Sequence, residues 1–453
     1  MTSNPTTDER TRSSKTWLTR WEPGDQTFWD TTGRPLAWRT LWITTANLIM
    51  AFIAWFLVSA LVVRLPGIGF KLTTAQLFWL TAMPGLAGGT LRIFHTFLVP
   101  LYGTRAVVSI STLLLAIPLV GWAYVVQDPT TPFWVLMTLA FFAGLGGGNF
   151  SSFMPSTSLF FPKRLQGTAL AIQAGIGNFG VSVVQFVTPW IIGFAFFGTL
   201  AGDPQPFTRQ GVSSSLWLQN AALIYLPFVV VFGIAAWFGL KSVPVRANFA
   251  EQFDIFKLKH AFFMTLLYIM TFGTFSGFSG TFPLLIRQVY GNFPGAPDPL
   301  AYAFLGPLVG SVLRIIAGPL SDRFGGARVT QVAGIGMLVC VVGVTFYTNP
   351  TSLDDFPWFV GFILGVFCFA GVGNASTFKQ MPMLFPPRQA AGVIGWTGAM
   401  AAYGPLAAGA LIGLSYSYFG GPTAFFWWAA IFYAGCIVLN WWFYARKGAE
   451  APC

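Results

Sequence analysis

Twelve stretches of about twenty mostly apolar residues constrain this chain more than any other feature, because a helix of that length spans the hydrocarbon core of a bilayer. They lie at roughly 41–63, 75–99, 104–126, 133–158, 167–196, 217–240, 261–285, 301–321, 328–347, 357–384, 390–416 and 422–444. Only 9% of the residues are charged, whereas a soluble protein carries about a quarter. We therefore predict an all-α, multi-pass membrane protein in contact with lipid, which argues against a soluble enzyme, a disordered scaffold and a nucleic-acid binder.

The basic residues favour one orientation of these helices, since Lys and Arg accumulate in cytoplasmic loops. With the N-terminus in the cytoplasm, only four basic residues face the other side: Arg64, Lys71, Arg209 and Arg287. Three more, Arg92, Arg314 and Lys379, fall inside predicted spans, and the rest are cytoplasmic. We expect both termini in the cytoplasm, no cleavable signal peptide, and a location in the inner (plasma) membrane.

The two halves of the chain resemble each other. Leu91-Arg92-Ile93 matches Leu313-Arg314-Ile315, and Gly148-Asn149 matches Gly373-Asn374 at nearly the same offset. A duplicated six-helix unit predicts a leader (1–40), an N-terminal half (41–240), a linker (241–260), a C-terminal half (261–444) and a tail (445–453). Paired six-helix halves around a central site are the architecture of the major facilitator superfamily.

The segment GPLSDRFGGAR (318–328) is similar to that superfamily's loop signature between the second and third helices of a half. Asp322, Arg323 and Arg328 are therefore candidates for a gating latch. The alternative is that these charges only solvate the loop.

Arg92 and Arg314 lie midway along equivalent predicted spans, where an arginine costs about 2.5–3.5 kcal/mol on insertion scales. No acidic residue falls within a span, so the expected counter-charge for this pair is the substrate. A guanidinium is a planar fork suited to oxyanions, which predicts an anionic cargo. The alternative is that backbone carbonyls hold both arginines for a structural reason.

Lys379 adds a third positive group. Burial beside two arginines would favour its neutral form, so that anion and proton would bind together, whereas a lysine that extends to the cytoplasmic face would have no such role. His95 is a rival proton acceptor, although a lone helical histidine is more often a packing residue.

Two glycine-rich segments, FFAGLGGGNFSSFMPSTS (141–158) with its continuation to 186, and FAGVGNASTFKQMPMLFPP (369–387), are the strongest local signal. They resemble the nitrate signatures of the nitrate/nitrite porter family, and the leader WEPGDQTFWDTTGRPLAWRTLWI (21–43) is similar to that family too. Their glycines let helices approach closely. We take these as the helix-packing signature: Gly144, Gly148, Gly175, Gly177, Gly180, Gly371 and Gly373.

The resemblance implies nitrate import, with nitrite as second substrate, by alternating access of the two halves. It assigns the anion to Arg92 and Arg314, the flanking rings to Phe150 and Phe378, and the polar contacts to Asn178 and Tyr268. The lysine in STFKQMP (376–382) resembles the members regarded as nitrate/proton symporters, so symport is favoured. Obligate nitrate/nitrite exchange and a carrier for another small anion are the alternatives. We expect a monomer without enzyme activity, metal or cofactor.

Overall fold

The computed structural model describes residues 16–243 and 253–453. The leader's Arg10, Arg12 and Lys15, and Arg246 of the linker, lie outside these ranges. Within them, eleven helical segments are long and apolar enough to cross a membrane. One of these, Thr74–Val125, has 52 residues, which at 1.5 Å per residue is more than twice the roughly 30 Å of a hydrocarbon core.

This long segment makes two crossings, because Gly103 interrupts the helix with φ 79° and ψ 159°. A residue with a side chain rarely adopts a positive φ, and a Cβ at this position would also lie 2.5 Å from Oγ of Ser242. The described residues thus contain twelve crossings, as predicted.

The N-terminal half begins with a helical turn at Gln26–Phe28 and a π-helical turn at Trp29–Gly33. Its helices are α1 (Arg34–Leu61), α2 (Thr74–Leu113), α3 (Ala116–Val125), α4 (Phe133–Ala143), α5 (Leu145–Ser158), α6 (Lys163–Ile191), α7 (Asn220–Leu223) and α8 (Leu226–Gly239). The predicted leader therefore contains the start of the first crossing helix. Asp25 caps this start by accepting from the backbone N–H of Phe28, and the buried ring of Trp29 packs 5.9 Å from that of Phe161.

The C-terminal half repeats this arrangement, with a second π-helical turn at Ile269–Gly273. Its helices are α9 (Lys259–Tyr268), α10 (Thr274–Tyr290), α11 (Leu300–Ala303), α12 (Leu305–Phe324), α13 (Gly326–Thr345), α14 (Phe356–Leu384), α15 (Pro387–Ala401), α16 (Gly404–Phe419) and α17 (Thr423–Asn440), followed by a π-helical turn at Trp441–Ala445.

One feature was not predicted. An antiparallel hairpin of β1 (Gln205–Arg209) and β2 (Val212–Leu216) lies between α6 and α7. Its sequence was too polar for a span and too short to suggest more than a loop. Phe207 fixes it to the protein, because this ring is buried and stands where a Cβ at Gly67 would lie, 2.3 Å away.

Both ends of the described chain lie on the same side of the molecule, where each forms a backbone hydrogen bond with another part of the chain. The backbone N–H of Leu18 donates to the carbonyl of Ser242 (2.9 Å), and that of Ala327 donates to Cys453 (3.0 Å). We call this side the terminal face. The opposite face carries the hairpin and an ion pair between Arg64 of the N-terminal half and Asp298 of the C-terminal half.

The two halves pack closely where α2 crosses α16 and where α6 crosses α12. A Cβ at Gly85 would lie 2.4 Å from the backbone nitrogen of Leu406, and one at Gly175 would lie 2.5 Å from the side chain of Ile315. Small residues therefore permit the approach of the halves. The predicted arginines lie on α2 and α12, beside this interface.

Candidate anion-binding site

Arg92 lies fully buried on α2 and contacts both halves of the molecule. Its Nε donates to the carbonyl of Gly147 (2.9 Å), and its Nη1 donates to the carbonyl of Gly398 (2.7 Å) on α15. Its Nη2 is buried and has no hydrogen-bond partner among the described residues. Backbone carbonyls thus satisfy part of this guanidinium, as the structural alternative predicted, but leave one nitrogen free to donate.

Aromatic rings surround the same guanidinium. The Cζ atom of Arg92 lies 4.5 Å from the ring centroid of Phe150 and 5.2 Å from those of Trp55 and Phe272. Each ring attracts the cation through its quadrupole, by about 0.5–2 kcal/mol depending on desolvation. The rings therefore stabilise the charge without neutralising it.

Arg314 on α12 lies near the other side of the same aromatic group. Its Cζ atom is 5.9 Å from the centroid of Phe272 and 5.7 Å from that of Phe378. The Asn178 amide, oriented to satisfy both of its atoms, accepts a 3.3 Å hydrogen bond from Nη1 of Arg314. The ring of Phe272 is thus shared by the two arginines.

Tyr268 completes the group from α9. Its ring stacks on Phe272 at 5.5 Å with an interplanar angle of 8°, and its centroid lies 5.3 Å from that of Phe378. The π-helical turn that follows Tyr268 is of a kind often found at functional sites. The Tyr268 hydroxyl is buried and has no partner in the described part of the chain, so it is a second free donor beside the arginines.

The charges of Arg92 and Arg314 have no counter-ion in residues 16–243 and 253–453. The carboxylates that form ion pairs there are Glu22, Asp298, Asp322 and Glu450, and none of them pairs with either arginine. A buried ion without a partner costs several kcal/mol, and a guanidinium keeps its proton in proteins. The arrangement is therefore suited to a small anion that accepts hydrogen bonds and lies flat against aromatic rings.

The other predicted residues lie outside this cluster. Lys379 forms an ion pair with Asp322, and both side chains are substantially exposed, at 42% and 62%. Asp322 is eight residues beyond Arg314 on α12, or about 12 Å along the helix axis. Arg323 lies over the ring of Phe324 at 5.3 Å, and Arg328 is exposed.

The structure therefore joins one predicted gating residue to the predicted proton-coupling residue and brings neither into contact with the central arginines. His95 is also occupied, because its Nδ1 lies 3.0 Å from Oγ of Ser152.

The signature glycines lie where helices touch. A Cβ at Gly144 would lie 2.6 Å from the carbonyl of Pro84, and one at Gly371 would lie 2.2 Å from the carbonyl of Gly310. The remaining signature positions, Gly148, Gly177, Gly180 and Gly373, are equally close to Leu91, Leu48, Ile49 and Thr271. Gly144, Gly180 and Gly371 permit the approach of a backbone carbonyl that alanine would obstruct, whereas Gly148, Gly175, Gly177 and Gly373 face side chains of neighbouring helices.

Sequence reasoning missed Phe272, Trp55 and the carbonyl of Gly398. Phe272 had a signal, since it follows Tyr268 by four residues in an apolar segment, where two rings on one helix face can stack. The Gly398 carbonyl had none, because a backbone acceptor 306 positions away leaves no trace in composition or spacing.

Comparisons with known proteins bear on the family and the fold of this chain. The sequence profile of the Major Facilitator Superfamily matches residues 43–381. The "Probable nitrate/nitrite antiporter NarK2" of Thermus thermophilus is 66% identical, over 97% of this chain and 98% of that protein. The "Nitrate/nitrite transporter NarU" of Escherichia coli (strain K12) is 36% identical, over 96% and 98%.

Two solved structures share the fold. A D-xylose-proton symporter superimposes with a TM-score of 0.64 at 14% identity, over 90% of this chain and 97% of that one. A bacterial homolog of the human lysosomal transporter Spinster, inward-facing and unoccupied, gives 0.60 at 15% identity, over 90% and 93%. These likenesses show the fold, and the sequence matches identify a transport protein and not an enzyme: this chain belongs to the nitrate/nitrite porter family of the Major Facilitator Superfamily.

Proposed function

We propose that this chain carries nitrate and nitrite across the inner membrane by alternating access of its two halves. The observation that carries the proposal is the pair of buried guanidiniums on either side of Phe272, which no carboxylate neutralises in the described part of the chain. The substrate anion supplies the missing charge. A single chain holds every residue of this cluster, which supports transport by a monomer.

Nitrate and nitrite fit the residues that surround the arginines. Both are planar, carry one negative charge and shed water more readily than sulfate or phosphate. Phe150, Phe272 and Phe378 offer flat faces, whereas Nη2 of Arg92 and the hydroxyl of Tyr268 offer unused donors. A larger organic acid would need more polar lining than three phenylalanines give. The names of the 66% and 36% identical relatives point to the same two ions.

For the coupling mode, we propose exchange of nitrate for nitrite. Lys379, the residue that the symport hypothesis requires, forms an ion pair with Asp322 and is half exposed. Its charge is therefore already balanced by a carboxylate and accessible to solvent. An empty site would carry two uncompensated charges through the membrane, at about 2.3 kcal/mol per charge per 100 mV. A bound anion offsets one of them, which favours turnover only when the site is loaded. The relative with 66% identity is named as an antiporter.

Proton symport through Lys379 is the second candidate, because this lysine directly follows Phe378, whose ring lies 5.7 Å from Arg314. A modest rotation of α14 that breaks the pair with Asp322 would turn the lysine toward the site. Symport would then require Lys379 to lose its proton when the anion leaves.

Nitrate flux into proteoliposomes distinguishes the two modes. One set of vesicles is preloaded with nitrite at equal pH, and the other contains no nitrite but has an inward proton gradient. Exchange predicts uptake in the first set and none above background in the second. It also predicts that Lys379→Gln retains nitrite-driven uptake.

The matched control is Lys163→Gln, which replaces an exposed lysine at the first residue of α6, on the terminal face. Accumulation driven by protons alone, lost in Lys379→Gln and kept in Lys163→Gln, would establish symport instead. Flux of neither ion under either condition would contradict the proposed substrates.

A further inference from the structure

The opposite face holds a second group of arginines, remote from the central site. Basic residues are scarce on this side, yet two of the four assigned to it by sequence contact one carboxylate, and a third lies near these two. Nη2 of Arg64 lies 2.5 Å from Asp298, and Nη1 of Arg209 lies 3.5 Å from the same oxygen. Arg287, at the end of α10, lies close enough to be repelled by both arginines. We call Arg64, Arg209, Arg287 and Asp298 the mouth cluster.

The mouth cluster sits on the seam between the halves. Arg64 follows the end of α1 in the loop after the first crossing helix and Arg209 ends β1, both in the N-terminal half, whereas Asp298 and Arg287 belong to the C-terminal half. Arg209 also donates to the carbonyls of Ala296 (2.7 Å) and Pro297 (2.8 Å). Separation of the halves on this face must therefore break the contacts of Asp298 with both arginines.

The charges of the mouth cluster do not balance. Asp298 offers one negative charge to three guanidiniums, and no other carboxylate pairs with any of them in the described residues. The side chain of Arg64 is only 7% exposed, and its buried Nε has no hydrogen-bond partner among the described residues. Arg287 has neither an ion pair nor a hydrogen bond from its side chain within residues 16–243 and 253–453. Donors and positive charge are thus in excess while the mouth is shut.

We propose that Arg64, Arg209 and Arg287 form a second binding site for small monovalent anions at the mouth of the opposite face, which the carboxylate of Asp298 fills when the halves are closed. When the halves part, Asp298 moves away with the C-terminal half and an external anion takes its place beside the guanidiniums. The site concentrates anions at the mouth before they pass to Arg92 and Arg314. The identity of the anion as nitrate rests on the proposed function, whereas the existence of the site does not.

Arg287→Gln is the most informative variant, because Arg287 has no described partner that its loss would leave unpaired. The matched control is Lys71→Gln, which removes one exposed positive charge from the same face outside the mouth cluster. In water, one unit charge at about 6 Å changes the occupancy of a monovalent anion by about threefold. With the termini in the cytoplasm, as the basic residues predict, right-side-out and inside-out membrane vesicles, preloaded with nitrite at low ionic strength, present nitrate to the opposite face and to the terminal face respectively.

The apparent KM for nitrate should rise about threefold in Arg287→Gln in right-side-out vesicles only. It should return toward the wild-type value in 0.5 M of an inert salt, where charges are screened beyond roughly 4 Å. Lys71→Gln should leave the KM unchanged. An equal shift in both vesicle orientations, a shift that high salt does not remove, or no shift at all would overturn the proposal. If the wild type carries no nitrate in either orientation, it is the proposed function that fails.

A binding measurement tests the mouth site independently of transport. Val212 is exposed and pairs with Arg209 across the hairpin. A fluorophore is attached to Val212→Cys in a protein whose four native cysteines are replaced by serine. Its quenching reports on the anion concentration beside the mouth cluster. Iodide quenching at low ionic strength should fall about twofold in Arg287→Gln, for a unit charge at about 10 Å in water. Quenching by neutral acrylamide should not change. Equal iodide quenching in the wild type, Arg287→Gln and Lys71→Gln would refute the site.

Discussion

Replacing Arg92 by lysine keeps the positive charge of the central site but removes the planar arrangement of donors that the guanidinium provides. The guanidinium donates at once to Gly147 (2.9 Å) and Gly398 (2.7 Å) and retains Nη2 for an anion. A lysine has one nitrogen on a stem that ends nearer the helix, so it can replace one of the carbonyl contacts or reach the anion, but not both. We therefore expect Arg92→Lys to fold and to bind nitrate poorly.

The magnitude follows from the hydrogen bond that the anion loses. A hydrogen bond to a charged group contributes about 1.5–3 kcal/mol, which corresponds to a dissociation constant raised about 10- to 150-fold. Titration calorimetry of nitrate into the detergent-solubilised protein measures this directly. Nitrite-driven nitrate uptake at subsaturating nitrate should fall by a similar factor.

Arg105→Lys is the matched control, because Arg105 lies beyond the break at Gly103 and its Nε also donates to a backbone carbonyl, that of Trp237 (2.5 Å), near the terminal face. This variant should bind nitrate like the wild type. Melting temperatures without anion separate a folding defect from a binding defect. A dissociation constant for Arg92→Lys within threefold of the wild type, in a protein of normal melting temperature, would refute the assignment of Arg92 to the anion.

Two further predictions concern packing and the tail. Gly371→Ala should lower the melting temperature or abolish folding, since its Cβ would lie 2.2 Å from the carbonyl of Gly310. The control is Gly361→Ala on the same helix, whose Cβ meets nothing within 4 Å and which should raise the free energy of unfolding by up to about 1 kcal/mol. A thermal-shift assay compares the two variants, and equal melting temperatures would contradict the packing argument. The hydrogen bond from Lys259 lowers the pKa of Glu450 below its ordinary value of 4.5, so the tail contact is complete above about pH 4.5 and is lost as the pH falls through the lowered value. Hydrogen exchange of residues 446–453, corrected for intrinsic rate, should show this loss of protection in the wild type, and an identical pH response in Glu450→Gln would contradict it.

Much of the central site followed from the sequence. The repeat placed Arg92 and Arg314 at equivalent depths, and the structure brings both against Phe272. The resemblance to the porter family added Phe150, Phe378, Tyr268 and Asn178, which lie in the same cluster. Their roles toward an anion stay predictions that the binding experiments above address.

Lys379 marks the limit of that reasoning. Its position beside Phe378 suggested a place near the arginines, but consecutive residues on a helix point about 100° apart, so a neighbour of a site residue need not face the site. The pair with Asp322 depends on the packing of α12 against α14. The hairpin at 205–216 was missed for a related reason. Its one buried ring, Phe207, packs against Gly67, which lies in a loop far away in the sequence.

By itself, the sequence determined that this chain spans a membrane twelve times, in two related halves, with two arginines at mid-depth. Hydropathy and duplication are local or periodic properties, and the bilayer forces apolar segments into helices whatever their neighbours are. Only the tertiary structure decided which donors remain free, that Arg92 joins both halves through two carbonyls, and that Asp298 faces an excess of arginines at the mouth. These depend on contacts between residues far apart in the chain, which form only once the helices have packed.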